Sequence, residues 1–214
     1  MSLVIVHLSD LHINLEKNVN NINTKKQPFY NACSSIISKN DTVLFMITGD
    51  IADTGDTKEY TVAKKIVNEF YEHIKSQHEN VSMCFFSTPG NHDCDFSLND
   101  IVRQRLMQTI NLGVPCVEQE IVDIICKPQH NYEHFAEEMN TKIKNRLGHR
   151  YILKVENKSI GINLINTAWL STKQEKYGEL AIPIEFLPDP NPKDVVFNIS
   201  LQHHPFHWLN PDNS

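Results

Sequence analysis

The 214-residue chain lacks any apolar run close to the roughly 20 residues that a membrane-spanning helix requires. Its first apolar run, residues 3–8, is short and contains His7, so it predicts a β-strand rather than the hydrophobic region of a signal peptide. Internal repeats and low-complexity tracts are also missing from the sequence. We therefore expect a single cytoplasmic domain over residues 1–214, with no membrane partner.

A disulfide framework is a second class of structure that the sequence does not support. The five cysteines are an odd number, and no two of them have C-x-x-C spacing. This pattern predicts reduced thiols and argues against both a disulfide framework and a structural zinc site. Cys94 follows a polar cluster closely and is a candidate metal ligand, although a free thiol is the interpretation that we favour.

The chain also lacks an excess of positive charge. Its formal net charge is −6, which argues against a surface that is basic overall and binds nucleic acid, and leaves only a local basic groove open. Hydrophobic residues make up 40% of the chain and charged residues 21%, as is typical of a globular protein with a sizeable core.

The sequence does contain three short apolar runs, predicted as buried strands, that each end in side chains able to bind metals. The runs are residues 3–8, 42–48 and 81–86, and the polar residues after them include Asp10, His12, Asp50, Asn91, His92 and Asp93. If these strands lie side by side in an open α/β sheet, their carboxyl ends meet at one edge. Carboxylate oxygen combined with imidazole nitrogen suits Mn, Fe or Zn, so we predict a metal site at that edge.

The segments between these runs favour a parallel sheet covered by helices. We predict a polar loop over residues 14–26, a helix over 28–39 with Pro28 near its start, and a helix over 57–74 with a capping group within 57–60. The resulting β-α-β-α-β order is typical of parallel strands.

The second half of the chain has a different pattern. We predict a helical insertion or cap at about 95–150, with a separate short domain as the alternative. Within it we expect helices at 99–110 and 132–147, with an ambiguous stretch at 114–126. After it we expect a hairpin of residues 151–155 and 159–165, an extended loop at 187–192 and a last strand at 195–201.

Four motifs resemble those of the calcineurin-like metallophosphoesterases, in the same order and at similar spacing. They are Asp10-x-His12, Gly49-Asp50-x-x-Asp53, residues 90–93 (Gly-Asn-His-Asp) and His203-x-Pro205. For the fold, the resemblance implies an α/β protein, a four-layer α/β/β/α sandwich of two mixed β-sheets.

The same resemblance implies a site for two divalent metal ions, which we expect to be Mn²⁺, Fe²⁺/Fe³⁺ or Zn²⁺. By similarity, Asp10 and His12 bind the first ion, Asp50 bridges both ions, and Asn91 and His203 bind the second. A single carboxylate is a sensible bridge because its oxygens can span ions ~3.5–4 Å apart.

The activity implied is hydrolysis of a phosphodiester or phosphomonoester by a hydroxide that bridges the metals. We expect His92 to protonate the leaving group and Asp93 to hold the ring of His92 in position. Asp53 is expected to orient a metal ligand by a hydrogen bond. We interpret His204 and His207 as loop histidines near the site.

One departure from the family pattern concerns the Gly-His-x-His motif that completes the family's site. Residues 148–151 (Gly-His-Arg-Tyr) begin this motif but lack its second histidine and precede His203. We therefore expect that the C-terminal part of the domain is missing and that this chain is the N-terminal domain of a longer protein. Its activity by itself is then in doubt, and His207 as a substitute ligand is an alternative that we do not favour.

The substrate is less constrained than the site. Residues 55–60 resemble the branch that contains cyclic-nucleotide and glycerophosphodiester phosphodiesterases, so a phosphate ester, including a nucleotide, is the expected partner. The alternatives are a DNA or RNA nuclease of the same family and a degenerate binding or regulatory domain without activity. A protein phosphatase is the least favoured reading.

Overall fold

The computed structural model describes residues 2–15, 21–111, 117–141, 143–189 and 195–210 of the chain. In these residues the fold is α/β, with two three-stranded sheets and five α-helices. The first sheet contains β1 (Leu3–Leu8), β2 (Thr42–Thr48) and β3 (Ser82–Thr88). No helix in the described part of the chain is long and apolar enough to span a bilayer.

The first sheet is parallel, with strand order β1-β2-β3. Leu8 pairs with Ile47, and Thr48 pairs with Thr88, so the three strands end at nearly the same level. Six of the seven residues of the central strand β2 are buried, as expected for a parallel strand that is covered on both faces. The predicted parallel arrangement is therefore confirmed for these strands.

Two helices connect the strands of this sheet, and one of them begins earlier than predicted. Helix α1 covers Asn21–Ile36 and therefore includes Pro28 in its interior and part of the predicted polar loop. The first turns of the helix are polar, so the sequence pattern did not indicate that the helix begins there. Its early residue Ile22 nevertheless packs against the main hydrophobic core together with Phe29, and tertiary packing of this kind outweighs weak helix propensity.

Helix α2 (Thr57–Gln77) follows β2, and its cap differs by one residue from the prediction. Asp56 is the N-cap, and Glu59 completes a capping box with it, whereas Thr57 is the first helical residue. On its inner face, Phe70 lies 4.7 Å from Phe45 of β2, measured between ring centroids. This contact belongs to the main core cluster between the helices and the first sheet.

In its described residues, the region predicted as a helical insertion contains three α-helices. They are α3 (Ile101–Asn111), α4 (Gln119–Ile125) and α5 (His130–Glu138). Helix α5 ends well before residue 147, because Asn140 adopts a left-handed conformation (φ +63°) and Thr141 N–H closes the end on Ala136 O. Part of the ambiguous stretch lies outside the described residues, which do not include 112–116 and 142.

Helix α5 contributes Phe135 and Ala136 to the same core cluster as α2 and the first sheet. Helices α3 and α4 contribute to a second cluster that includes Trp169. The division of the chain into one domain with an insertion stays a prediction.

The second sheet is mixed and contains β4 (Gly148–Val155), β5 (Lys158–Ile165) and β6 (Phe197–Leu201). Strands β4 and β5 form the predicted antiparallel hairpin, and β6 pairs with β5 in parallel. The predicted loop at 187–192 and the start of the predicted last strand fall partly on residues 190–194, outside the described residues.

The two sheets pack face to face. Leu44 and Met46 alternate with Phe45 along β2, so they point to the opposite face, where they contact Ile160 and Ile162 of β5 in a third hydrophobic cluster. Helices therefore cover one face of the first sheet and the second sheet covers the other. Both sheets were expected to be mixed. The second sheet is mixed, whereas the described strands of the first sheet are all parallel. The fourth, outer helical layer of the predicted sandwich stays a prediction.

Candidate metal centre

The predicted ligands that follow β1 and β2 lie on an unusual backbone. Asp10, His12 and Asp50 have φ values of +57°, +42° and +53°, in the left-handed region that non-glycine residues rarely adopt. Two hydrogen bonds hold the loops together, from His12 N–H to Asp50 O (2.9 Å) and from Asp10 N–H to Gly49 O (3.2 Å). Strained conformations of this kind cost of order 1–3 kcal/mol each and concentrate at functional sites.

The carboxylate of Asp50 lies at the centre of the site. Its Oδ2 atom is 3.6 Å from Nε2 of His12 and 3.5 Å from Nε2 of His203, while its Oδ1 atom accepts a hydrogen bond from the backbone N–H of His92 (2.9 Å). Asp50 is only 3% exposed. One carboxylate oxygen therefore lies between imidazoles that come from two different sheets.

The first group of potential ligands is Asp10, His12 and Asp50. Each offers one ligand atom, and these atoms all lie within 4.8 Å of one another. Oδ1 of Asp10 is 3.9 Å from Nε2 of His12, and the other oxygen of Asp10 accepts a hydrogen bond from Ser9 Oγ. The hydroxyl of Ser9 also donates to Thr48 O (3.1 Å), which ties the β1 loop to the end of β2.

The second group contains His203 and Asn91. Nδ1 of His203 lies 2.9 Å from Thr48 O, and because a carbonyl oxygen only accepts, Nδ1 carries the proton. The lone pair of a neutral His203 is then on Nε2, which lies 3.1 Å from Oδ1 of Asn91 and 3.5 Å from Oδ2 of Asp50. Three acceptor atoms converge there, and a positive charge between them would relieve their repulsion.

This donor set fits divalent metal ions. Carboxylate and amide oxygens combined with imidazole nitrogens suit Mn, Fe and Zn. The hydrogen bond from Nδ1 of His203 to a carbonyl is the kind of contact that orients a metal-binding histidine. The structure thus brings together all five of the ligands expected from the sequence: Asp10, His12, Asp50, Asn91 and His203.

Two glycines make the close approach of these loops possible. A Cβ atom on Gly49 would lie 2.5 Å from Nδ1 of His203, and a Cβ atom on Gly90 would lie 2.2 Å from Oδ1 of Asp50. Gly49 also has φ +80°. Any side chain at these positions would displace a predicted ligand.

Comparison with protein-family models agrees with this arrangement. The model of the family described as calcineurin-like phosphoesterase matches residues 3–214. The chain belongs to this family. A search of the curated proteins found no match. As a calcineurin-like phosphoesterase, the protein belongs to a group of metal-dependent hydrolases of phosphate esters, and its grouped side chains are able to hold a metal.

In this calcineurin-like phosphoesterase, the ring of His92 is held by Asp53. Nδ1 of His92 lies 2.8 Å from the backbone oxygen of Asp53 and 3.7 Å from its Oδ1 atom. The rings of His92 and His12 are in edge-to-face contact, with centroids 4.6 Å apart. Asp53 Oδ1 is also 3.6 Å from Nδ1 of His12, so this one side chain lies beside both histidines.

From the sequence we expected Asp93 to hold the ring of His92 in position, and the structure corrects this expectation. Its carboxylate is fully buried and accepts hydrogen bonds from three backbone N–H groups and from Tyr60 Oη. The three backbone donors are Ile51, Ala52 and Gly90. Burial is the main reason that the pKa of Asp93 rises to about 6. Because its oxygens are engaged with the loops, Asp93 holds the turn at Gly90 rather than the ring of His92.

Asp53 lies beside His12, a predicted metal ligand, where its expected orienting role would place it. It also lies beside His92. His12, Asp53 and His92 form a further group, distinct from the two described above, whose ligand atoms lie within 4.8 Å of one another. The other oxygen of Asp53 accepts a hydrogen bond from Asn14 Nδ2. Asp53 is therefore placed to orient His12, as expected, and also His92.

Glu59 lies within the stretch predicted to cap α2, but its role in the site region was not predicted from the sequence. It is 4% exposed, and its Oε2 atom accepts hydrogen bonds from the backbone N–H groups of Asp53 (3.2 Å), Thr54 (2.9 Å) and Asp56 (3.3 Å). It thereby fixes the loop that carries Asp53. The signal was present, because an Asp followed three residues later by a Glu is the capping-box pattern.

The remaining candidates lie outside the two ligand groups. His204 is buried and bonds to Thr167 Oγ1 (3.0 Å) and Glu175 Oε2 (3.1 Å). The ring of His207 stacks on Tyr177 with centroids 5.4 Å apart. Burial raises the pKa of the Cys94 thiol to about 12, so this thiol is protonated at neutral pH. These contacts favour structural roles for all three.

The residues that begin the Gly-His-x-His pattern are part of the second sheet. Gly148, His149 and Arg150 form the start of β4, where His149 pairs with Leu164 of β5. His149 is not a member of either ligand group found among the described residues. This position agrees with the interpretation from the sequence that residues 148–151 do not supply the family motif.

Proposed function

We propose that this chain is a phosphoesterase that uses two divalent cations to hydrolyse a phosphodiester. Asp10 and His12 would hold the first cation, Asn91 and His203 would hold the second, and Asp50 would be shared between them. The observation that carries the proposal is the position of Asp50 Oδ2, at 3.6 Å from His12 Nε2 and 3.5 Å from His203 Nε2.

When bound, the two cations would supply positive charge to the phosphate oxygens and lower the pKa of a water molecule. The chain's own residues provide a rigid frame for this chemistry. The hydrogen bond from His92 N–H to Asp50 Oδ1 fixes the carboxylate, and the contact of His203 Nδ1 with Thr48 O fixes the imidazole. Such preorganised groups need little rearrangement during the reaction.

His92 is the residue that we assign to protonation of the leaving oxygen. Its Nδ1 atom donates to the backbone oxygen of Asp53, which leaves Nε2 as the atom that would pass a proton to the leaving oxygen. The Asp53 carboxylate lies 3.7 Å from Nδ1. A general acid in this position typically contributes about 10²–10⁴-fold to a rate.

Among the described residues, the candidate ligands are few for two cations. Each cation would have two ligands of its own, and Asp50 would be shared between them. We therefore expect weak metal affinity in this chain, and the test uses added Mn²⁺. A degenerate binding domain would keep the fold without this chemistry, so metal binding separates the two functions.

The test measures Mn²⁺ binding by electron paramagnetic resonance and hydrolysis of bis(p-nitrophenyl) phosphate with and without Mn²⁺. We expect Mn²⁺-dependent hydrolysis, and a loss of at least about 100-fold in Asp50→Asn because a charge at the centre of the site is removed. Asp123→Asn, on the exposed side of α4, is the matched control and should keep its activity. Unchanged turnover in Asp50→Asn, or no Mn²⁺ binding by the unaltered chain, would contradict the proposal.

A further inference from the structure

We propose that two adjoining clefts beside His92 form one groove that binds a nucleotide on the leaving side of the phosphodiester. This assignment rests on the proposed function for its direction, since His92 protonates the leaving oxygen. The first cleft has a volume of about 450 Å³ and is lined by Asn91, His92 and Phe96. The second has a volume of about 470 Å³ and lies against α3.

The two clefts share a short segment of chain as part of their lining. Thr172 and Lys173 line both of them, so the clefts adjoin at this segment. Each volume lies within the range of ~300–1,000 Å³ that is usual for small-molecule sites. An extended organic group joined to a phosphate at the metal centre therefore has room in both.

Lys173 supplies the positive charge of the groove. It is exposed, and it is the only lysine or arginine among the described residues that line either cleft. Two carboxylates also line the first cleft: Asp95, which accepts a hydrogen bond from Ser97 N–H (3.0 Å), and Asp53, which lies beside two histidines. Lys173 is thus placed to bind an anionic group, such as a second phosphate, between the two clefts.

The second cleft has the chemistry of a site for a heterocyclic base. Gln104 and Gln108 are four residues apart on α3, and they line the cleft together with Asn99, Met107 and Gln174. No carboxylate is among its lining residues. Amide side chains donate and accept at the edge of a base, as in the pairing of Gln or Asn with adenine. The thioether of Met107 adds a polarisable apolar contact.

Part of this amide set is already used within the protein. Oδ1 of Asn99 accepts a hydrogen bond from Arg103 (2.8 Å), and Nε2 of Gln104 donates to Asn99 O (3.2 Å). In the described part of the chain, the side chain of Gln108 makes no hydrogen bond. Gln108 is therefore the residue that we assign to recognition of the base.

A buried arginine holds the two walls of the groove in place. Arg103 of α3 is 1% exposed and donates hydrogen bonds to the backbone oxygens of Trp169 (3.2 Å) and Ser171 (3.0 Å). Ser171 directly precedes Thr172, and Trp169 lies three residues before it. Because both walls are fixed before a ligand binds, little conformational entropy is lost on binding.

A small nucleotide ester fits better than a nucleic-acid chain. A long polyanion is bound by many lysines and arginines along its backbone, and its affinity depends on their number. Among the residues that the structure describes, the groove has one such residue, and the chain as a whole carries a net charge of −6.

The first experiment measures binding at equilibrium without metal, by isothermal titration calorimetry. The probes are adenosine 5′-monophosphate, adenosine and inorganic phosphate. We expect the nucleotide to bind at least about tenfold more tightly than either part, since a tenfold change corresponds to about 1.4 kcal/mol of added contacts. Equal affinity for the nucleotide and for inorganic phosphate would overturn the proposal.

Two variants test separately the contact with the phosphate and the contact with the base. Lys173→Met should remove the preference for the nucleotide over adenosine, and Gln108→Leu should remove the preference for the nucleotide over phosphate. The matched controls are Lys176→Met, three residues from Lys173, and Gln119→Leu, on the exposed face of α4. If Lys176→Met weakens nucleotide binding as much as Lys173→Met, or Gln119→Leu as much as Gln108→Leu, the groove is not the site.

A second experiment compares Mn²⁺-dependent hydrolysis of a dinucleotide with that of bis(p-nitrophenyl) phosphate. Gln108→Leu should raise KM for the dinucleotide about tenfold or more, as expected for loss of one base contact, whereas Gln119→Leu should not. A longer oligonucleotide cleaved faster than the dinucleotide would overturn the assignment to a small ligand. If neither ester is hydrolysed by the unaltered chain, the proposed function fails, whereas the calorimetry still decides the nucleotide groove.

Discussion

Nε2 of His203 lies 3.1 Å from Oδ1 of Asn91, although 112 positions separate the two residues in the chain. His203 follows the last strand of the second sheet, and Asn91 follows the last strand of the first. A cation that binds both side chains would therefore connect the two sheets. Metal binding and stability of the fold should be coupled in this protein.

This coupling predicts that Mn²⁺ raises the melting temperature. At 100 times the dissociation constant, a ligand adds about 2.7 kcal/mol, which corresponds to roughly 5–10 °C for a chain of this size. His203→Ala should lose a large part of the increase, while His134→Ala, at an exposed position on α5, should keep it. Thermal unfolding followed by circular dichroism measures the effect, and the same increase in His203→Ala and in the unaltered chain would contradict it.

The contact between Asp53 and His92 predicts a dependence on the leaving group. His92→Ala should lower kcat by about 10²–10⁴-fold for an alkyl phosphodiester, whose alkoxide needs a proton to leave. The loss should be much smaller for a p-nitrophenyl ester, because nitrophenolate leaves without protonation. Asp53→Asn should show the same ranking. Parallel losses with both esters would indicate that His92 has another role.

The close approach of Gly90 to Asp50 predicts a steric effect on metal binding. In Gly90→Ala the new Cβ would lie 2.2 Å from Oδ1 and 2.5 Å from the backbone nitrogen of Asp50, so the carboxylate must move. We expect Mn²⁺ affinity to fall at least about tenfold, as is usual when the support of a metal ligand is lost. Gly178→Ala is the control, since nothing lies within 4 Å of its Cβ and only local backbone strain results.

Retention of full Mn²⁺ affinity in Gly90→Ala would show that the loop can move away without disturbing Asp50. Calorimetric titration of both glycine variants with Mn²⁺ provides the measurement.

Asp41, which lies at the opposite end of β2 from Asp50, predicts acid sensitivity of the fold. Its carboxylate accepts hydrogen bonds from Ser2 N–H (2.8 Å) and Ser38 N–H (2.9 Å), and these lower its pKa. A pKa that is lower in the folded than in the unfolded state stabilises the fold above the unfolded value of about 3.9, and the gain is lost as pH falls through the folded value.

Asp41→Asn should therefore lower the melting temperature at pH 7, and the difference from the unaltered chain should shrink as the pH falls below about 4. The exposed variant Glu72→Gln is the control and should show no such trend. Melting curves at a series of pH values measure both. A difference for Asp41→Asn that stays constant down to pH 2 would argue against a role for the charge of Asp41.

Local sequence patterns were sufficient for several elements and insufficient for others. Strands β1 and β2 have the predicted bounds, because a continuous apolar run between polar residues specifies a buried strand by itself. The start of α1 was missed, since its first turns are polar and only the packing of Ile22 on the core reveals them. Similarly, helix α5 ends early at a left-handed Asn140 that periodicity does not indicate.

By itself, the sequence determined which donor atoms exist and in what order they follow the strands: Asp10 and His12, then Asp50, then Asn91, then His203. Only the tertiary structure decided which of them are neighbours. Parallel register brings His12 beside Asp50, and packing of one sheet on the other brings His203 to the same oxygen. It also assigns the ring of His92 to Asp53 rather than to its neighbour Asp93, because contacts between distant residues depend on the packing of strands and not on their spacing along the chain.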